Sequence, residues 1–111
     1  MDVKEFANEF LTALAEIEYF ESVSLQTEGP VVSGYTYLKD DVFLRFYFNE
    51  VTGTMAFALI EKNQRIWGID FDNRHNWHLH PVDNPKKHVN IHPITIPKIA
   101  ELLKKVLITR Y

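Results

Sequence analysis

The chain has 111 residues and no cysteine, which excludes a disulfide framework, a thiol nucleophile and a thiolate zinc site, and its length fits a single domain, 1–111. With 46% hydrophobic and 14% aromatic residues it has the material for a packed core rather than for disorder. Charge is uneven: residues 1–72 hold 13 acidic against 5 basic side chains, a balance of −8, whereas residues 73–111 hold 2 against 7, a balance of +5, together with all five histidines.

Val3, Phe6, Phe10, Leu14 and Ile17 fall three or four apart, which predicts an amphipathic helix from residue 2 to about 20, with Asp2 and Glu5 favouring its N-terminus. Residues 22–27 alternate weakly and read as a first strand; Glu28-Gly29-Pro30 is a turn. Strands are expected at 31–38, 42–49, 54–61 and 65–72, joined by short polar connections that suit antiparallel neighbours. From Asn73 to Pro93 the pattern turns irregular, with three prolines, four asparagines and every histidine, although His78–His80 or His88–His92 could each lie on a short edge strand. Helical spacing returns with Ile99, Leu102, Leu103, Val106 and Leu107, for which Thr95 is the N-cap and Pro97 a first-turn residue. The first residues lack the basic start and apolar stretch of a signal peptide, and no apolar run approaches the roughly 20 residues that span a bilayer. A cytoplasmic, non-membrane protein is the expectation.

Alternation within the strands sorts side chains by face. Leu44, Phe46 and Phe48, then Met55, Phe57 and Leu59, then Trp67, Ile69 and Phe71 make one apolar surface for two helices to cover. Opposite them fall Phe43, Arg45 and Tyr47, and Gly68, Asp70 and Asp72, with Tyr35 and Tyr37 as further members of that side. The fold class expected is α+β: a single antiparallel β-sheet of four to six strands, with an N-terminal and a C-terminal helix packed on one face.

The chemistry concentrates in Asp72 and the histidines. Asp70 and Asp72 lie two apart on one strand and point the same way; the plainer reading pairs Asp70 with Arg45 and has Asp72 cap the turn at Asn73. His75-x-x-His78-x-His80 is dense, and His78 and His80 share a side if extended. With Asp72 they suit a two-histidine, one-carboxylate site for a divalent metal. Alternatively, imidazoles titrating near neutral pH serve as base and acid in RNA cleavage, with Arg74, Lys86 or Lys87 steadying the phosphate. The plainer reading of this segment is a loop whose histidines bond backbone carbonyls and pack on Trp77 and the prolines. His88 and His92 would stand about 13 Å apart on a strand, so only His88 is expected to join the upstream cluster.

The stretch Arg65-Ile-Trp-Gly-Ile-Asp-Phe-Asp-Asn-Arg-His-Asn-Trp-His-Leu-His-Pro, followed by Lys86-Lys87-His88, resembles the small TumE-type toxins of bacterial and archaeal toxin–antitoxin pairs. In that family a strand ends in an Asp-Asn pair and runs into a histidine-rich loop, with a further histidine before a closing helix. Asp72-Asn73, His75, His78, His80 and His88 occupy those places, and the likeness covers roughly residues 62–105. The resemblance implies a toxin that acts on RNA and is neutralised by a small helix-turn-helix antitoxin protein. Residue roles come from the side chains' own chemistry: His78, His80, His88 and Asp72 as the catalytic set, and Arg74, His75, Lys86, Lys87 and Arg45 as phosphate or RNA contacts. No cofactor is required by this reading. A divalent metal on Asp72, His78 and His80, as in a metal-dependent phosphodiesterase, is one alternative; a non-catalytic protein-binding module is the other. The oligomeric state is left open, a homodimer included.

Overall fold

In the computed structural model, which describes residues 1–111, the Asp2 carboxylate accepts the Glu5 backbone N–H at 2.8 Å and starts helix α1, Val3–Ile17. Phe6, Phe10, Ala13, Leu14 and Ile17 form its buried stripe. The helix stops short of residue 20 because Glu18 takes a left-handed conformation, φ 64°. At the other end of the chain, helix α2, Ile96–Arg110, is opened as expected: Thr95 Oγ1 accepts the Lys98 N–H, and Pro97 lies in the first turn.

Between the helices runs one antiparallel sheet with its strands in sequence order: β1 Ser24–Glu28, β2 Val31–Lys39, β3 Val42–Asn49, β4 Met55–Glu61, β5 Gln64–Asp72, β6 Asn76–His80 and β7 Val89–Asn90. Lys62 and Asn63 both have positive φ, 51° and 64°, in the tight two-residue connection between β4 and β5. The sheet has seven strands, where four to six were expected. The additional pairing comes from the segment that reads as irregular: β6 fits in the proline-free stretch before Pro81, and β7 adds a two-residue edge.

Both helices cover the same side of the sheet, as expected. The Phe6 ring stacks on Phe48 at 4.8 Å, the Phe10 ring meets Phe46 at 4.4 Å, and Ile96, Ile99, Leu103 and Leu107 of α2 complete a core with Leu44, Phe57, Leu59, Trp67 and Ile69. Burying each such side chain contributes roughly 1.5–3 kcal/mol. No helix is long and apolar enough to cross a membrane.

No helix covers the opposite side. β4 carries small residues there, Ala56 and Ala58, which leave a trough of about 570 Å³ between larger side chains on β3 and β5.

Candidate functional site

The β5–β6 hairpin builds the site. Its register pairs Asp72 with Asn76, Asp70 with His78 and Gly68 with His80. Because strand residues alternate sides, Gly68, Asp70, His78 and His80 lie on the side away from the helices, where Asp70 lines the edge of the trough, while Ile69, Phe71, Trp77 and Leu79 join or pack against the core. His88, at the end of the turn before β7, folds over β6. Its ring lies 4.5 Å from that of His80 and 5.1 Å from that of His78, centroid to centroid. The His78 and His80 rings are themselves 5.1 Å apart.

Asp70 is the hub. Its Oδ2 lies 3.1 Å from His80 Nε2, 3.4 Å from His78 Nε2 and 3.8 Å from an Arg65 guanidinium nitrogen. His80 is 1% exposed and His78 5%. His80 Nδ1 lies 3.0 Å from the Pro85 carbonyl oxygen, and His78 Nδ1 a longer 3.4 Å from that of Asn76. A carbonyl oxygen only accepts, so Nδ1 of His80 donates to Pro85, and in the neutral form of that tautomer the Nε2 lone pair faces Asp70. Burial, then the nearby Arg65 charge, holds His80 below the ordinary histidine value, against the opposing pull of Asp70 and the Pro85 carbonyl. Gly68 makes the room: a Cβ there would stand 2.9 Å from the Phe57 carbonyl oxygen, 3.4 Å from the Arg65 side chain and 3.7 Å from the His80 ring.

Asp72 takes the role the plainer reading gives it, as the cap of the turn, and not a place beside His78 and His80. Its Oδ1 accepts the backbone N–H of Arg74 at 2.9 Å and of His75 at 2.7 Å, and it faces His75 Nδ1 at 3.2 Å. These bonds, the His75 backbone N–H foremost, hold its carboxyl below the usual range. Asp72 therefore caps the hairpin turn and orients His75. The expectation that it serves His78 and His80, as catalytic partner or as metal ligand, is corrected: a carboxylate two residues further along the strand, Asp70, does so. Nor does Asp70 pair with Arg45; Arg65, on its own strand, is its cation.

The remaining candidates scatter around this centre. His75 is exposed at the margin, its ring 6.1 Å from that of His78. Arg74 is exposed on the turn entering β6, and Lys86 and Lys87 on the turn that leads to His88. Arg45 lines the opposite wall of the trough with Tyr35, Phe43 and Tyr47. β3 and β6 are three strand spacings apart, about 14 Å. His92 is exposed beyond β7, outside the cluster, as the strand rise anticipates.

The chain matches no family model, no curated protein and no solved structure. The site's chemistry therefore rests on its own side chains. Sequence reasoning missed Asp70 as the shared carboxylate, and with it Arg65, Gly68 and the Pro85 carbonyl. The signal was present in part, since strand alternation already groups Gly68 with Asp70. What was lacking was the hairpin register that places His78 and His80 opposite them.

Proposed function

We propose that the protein is a toxin-like ribonuclease of a type II toxin–antitoxin pair, whose reactive centre is the cluster of Asp70, His78, His80 and His88. The observation that carries this reading is that two imidazoles, His78 and His80, meet the Asp70 carboxylate and a third, His88, packs on both, while Asp70 lines a trough whose far wall holds Arg45 and aromatic rings. Aromatic faces accept stacked bases and guanidinium groups accept phosphates, which is how open sheet faces hold single-stranded RNA. The exposed Arg74, Lys86 and Lys87 add positive charge around the centre.

Cleavage of RNA at such a centre proceeds by attack of a 2′-oxygen on the adjacent phosphorus. The 2′-hydroxyl proton is removed as the O–P bond forms. The bond from phosphorus to the 5′-oxygen breaks, and a proton goes to that oxygen. The buried His80 and the exposed His88, with rings 4.5 Å apart, supply the two ends of this transfer. Arg65, beside Asp70, stabilises the added negative charge on the phosphoryl oxygens, and Arg45 on the far wall holds a neighbouring phosphate.

Purified protein should cleave single-stranded RNA, and the same strand with 2′-deoxy sugars should stay intact. His80→Ala and His88→Ala should each lower the rate by about 10²–10⁴-fold, the usual size for a proton-transfer group. His88 is exposed, so its variant tests the centre without threatening the fold. Intact RNA at high protein concentration overturns the reading. The toxin assignment adds a second test: induced expression should arrest growth, and co-expression of a small helix-turn-helix protein from the neighbouring gene should relieve it.

A further inference from the structure

Two imidazole nitrogens face one carboxylate oxygen at 3.1 and 3.4 Å, and neither has a satisfactory neutral partner there. The Pro85 carbonyl fixes the hydrogen of His80 on Nδ1, and the Asn76 carbonyl favours the same tautomer in His78. Each neutral ring then points a lone pair at the negative oxygen of Asp70, which is repulsive. One added proton relieves only one of the two contacts. Two would place adjacent imidazolium charges, with rings 5.1 Å apart, beside Arg65 and almost out of water. A cation between the nitrogens and the oxygen removes the conflict at once.

The spacing fits such an ion. Ligands at about 2.0–2.1 Å from a tetrahedral zinc stand roughly 3.3–3.4 Å from one another. The two Asp70–histidine distances, 3.1 and 3.4 Å, lie within a few tenths of an ångström of that value. The ligand nitrogens of His78, His80 and His88 all lie within 4.8 Å of one another. Asp70 contacts His78 and His80 directly, and His88, exposed on its turn, is the ligand that would move to complete the set. The backbone carbonyls on the far nitrogens are the outer partners that orient metal-binding histidines. Three imidazoles and one carboxylate select a borderline transition ion over magnesium or calcium, which take oxygen ligands. Arg65, about a third exposed and 3.8 Å away, is long enough to swing aside.

We propose that Asp70, His78, His80 and His88 form a centre for a divalent first-row transition ion, with zinc its best-fitting occupant. The ligand set differs from the one expected from sequence, since Asp70 replaces Asp72 and His88 is added. This assignment stands apart from the RNA reading but deepens it: within that reading, water on the ion becomes the group that gives up and takes protons.

The test is calorimetric titration of Zn²⁺ into full-length protein, purified without a histidine tag and stripped with EDTA. One ion per chain is expected, with a rise in melting temperature on binding. His88→Ala should weaken binding by more than the roughly 10–100-fold typical of losing an outer partner. Asp70→Asn and His80→Ala should weaken it further, whereas His75→Ala and His92→Ala should leave it unchanged. Co²⁺ bound in place of Zn²⁺ should show the visible absorption of a tetrahedral ion. Absent binding, binding undiminished in His88→Ala, or binding lost in His75→Ala overturns the centre. Zn²⁺ binding without RNA cleavage keeps the centre and defeats the nuclease; RNA cleavage by metal-free protein that binds no Zn²⁺ does the reverse.

Discussion

On the β5–β6 hairpin, Ile69 and His80 are both hidden from water, yet one faces the helices and the other the opposite side of the sheet. The helix side, with Trp67 and Leu79 beside Ile69, is held by shape and apolar area. The trough side holds Asp70, His78 and His80, groups whose removal from water costs free energy unless they are paired. The same backbone thus supports one face that stabilises the fold and one that spends part of that stability on polar chemistry. A buried polar cluster on a face no helix covers is what marks a site rather than a core.

The two faces should fail separately. Phe57→Ala empties the centre of the core, where the ring touches those of Phe6 and Phe10, and should cost about 3–5 kcal/mol in urea denaturation. The fraction that remains folded should keep its Zn²⁺ affinity. Loss of affinity beyond the unfolded fraction would show that the faces are coupled. On the other side, Asp70→Asn should reduce RNA cleavage by roughly 10–100-fold, and Asp72→Asn, which only loosens a turn, by much less. Equal losses in the two variants would return Asp72 to the centre and remove the distinction drawn between them.

Gly68 is on the polar side, paired with His80. In Gly68→Ala the new methyl would stand 2.9 Å from a backbone oxygen, a contact that flexible side chains cannot relieve by moving. A loss of about 1–3 kcal/mol is expected from such overpacking. Because Arg65 and His80 are the next nearest groups, Zn²⁺ affinity should fall with it. Unchanged stability would mean that β4 and β5 have slack the pairing does not suggest.

How much of this was legible before the structure depended on range. The helices, the strands β2 to β5 and the apolar face followed from periodicity within ten or fifteen residues, because side-chain alternation is a local property. β6 was harder. Its five residues, Asn76-Trp-His-Leu-His, alternate polar and apolar as a strand should, but proline, asparagine and histidine around it weaken the signal. Without β6 there was no register, and without register Asp72, nearest to the histidines in sequence, looked a better partner than Asp70. Proximity along the chain misled because Asp72 is used up by the turn itself, through the N–H groups of Arg74 and His75. The Pro85 carbonyl was invisible for another reason, since every residue carries a carbonyl and only the folded loop selects one.

The smallest effect lies furthest apart in sequence. Glu61, at the end of β4, accepts from the Arg110 guanidinium at 2.7 Å and from the Tyr111 hydroxyl at 2.5 Å, which ties the last turn of α2 to the sheet. The Arg110 bond first, then that of Tyr111, lowers the Glu61 carboxyl from its ordinary value of 4.5. A lowered carboxyl stabilises the fold above the unfolded value, and that contribution is lost as pH falls through the folded one. Arg110 is about a third exposed and the pair is screened, so Glu61→Gln should cost only about 0.5–1 kcal/mol at neutral pH. The gap between the urea midpoints of the two proteins should narrow as pH drops below 4.5 and close under strongly acidic conditions, where the native carboxyl is protonated too. A gap that persists there would mean Glu61 acts through packing and neutral hydrogen bonds, and that the anchor on α2 is indifferent to charge.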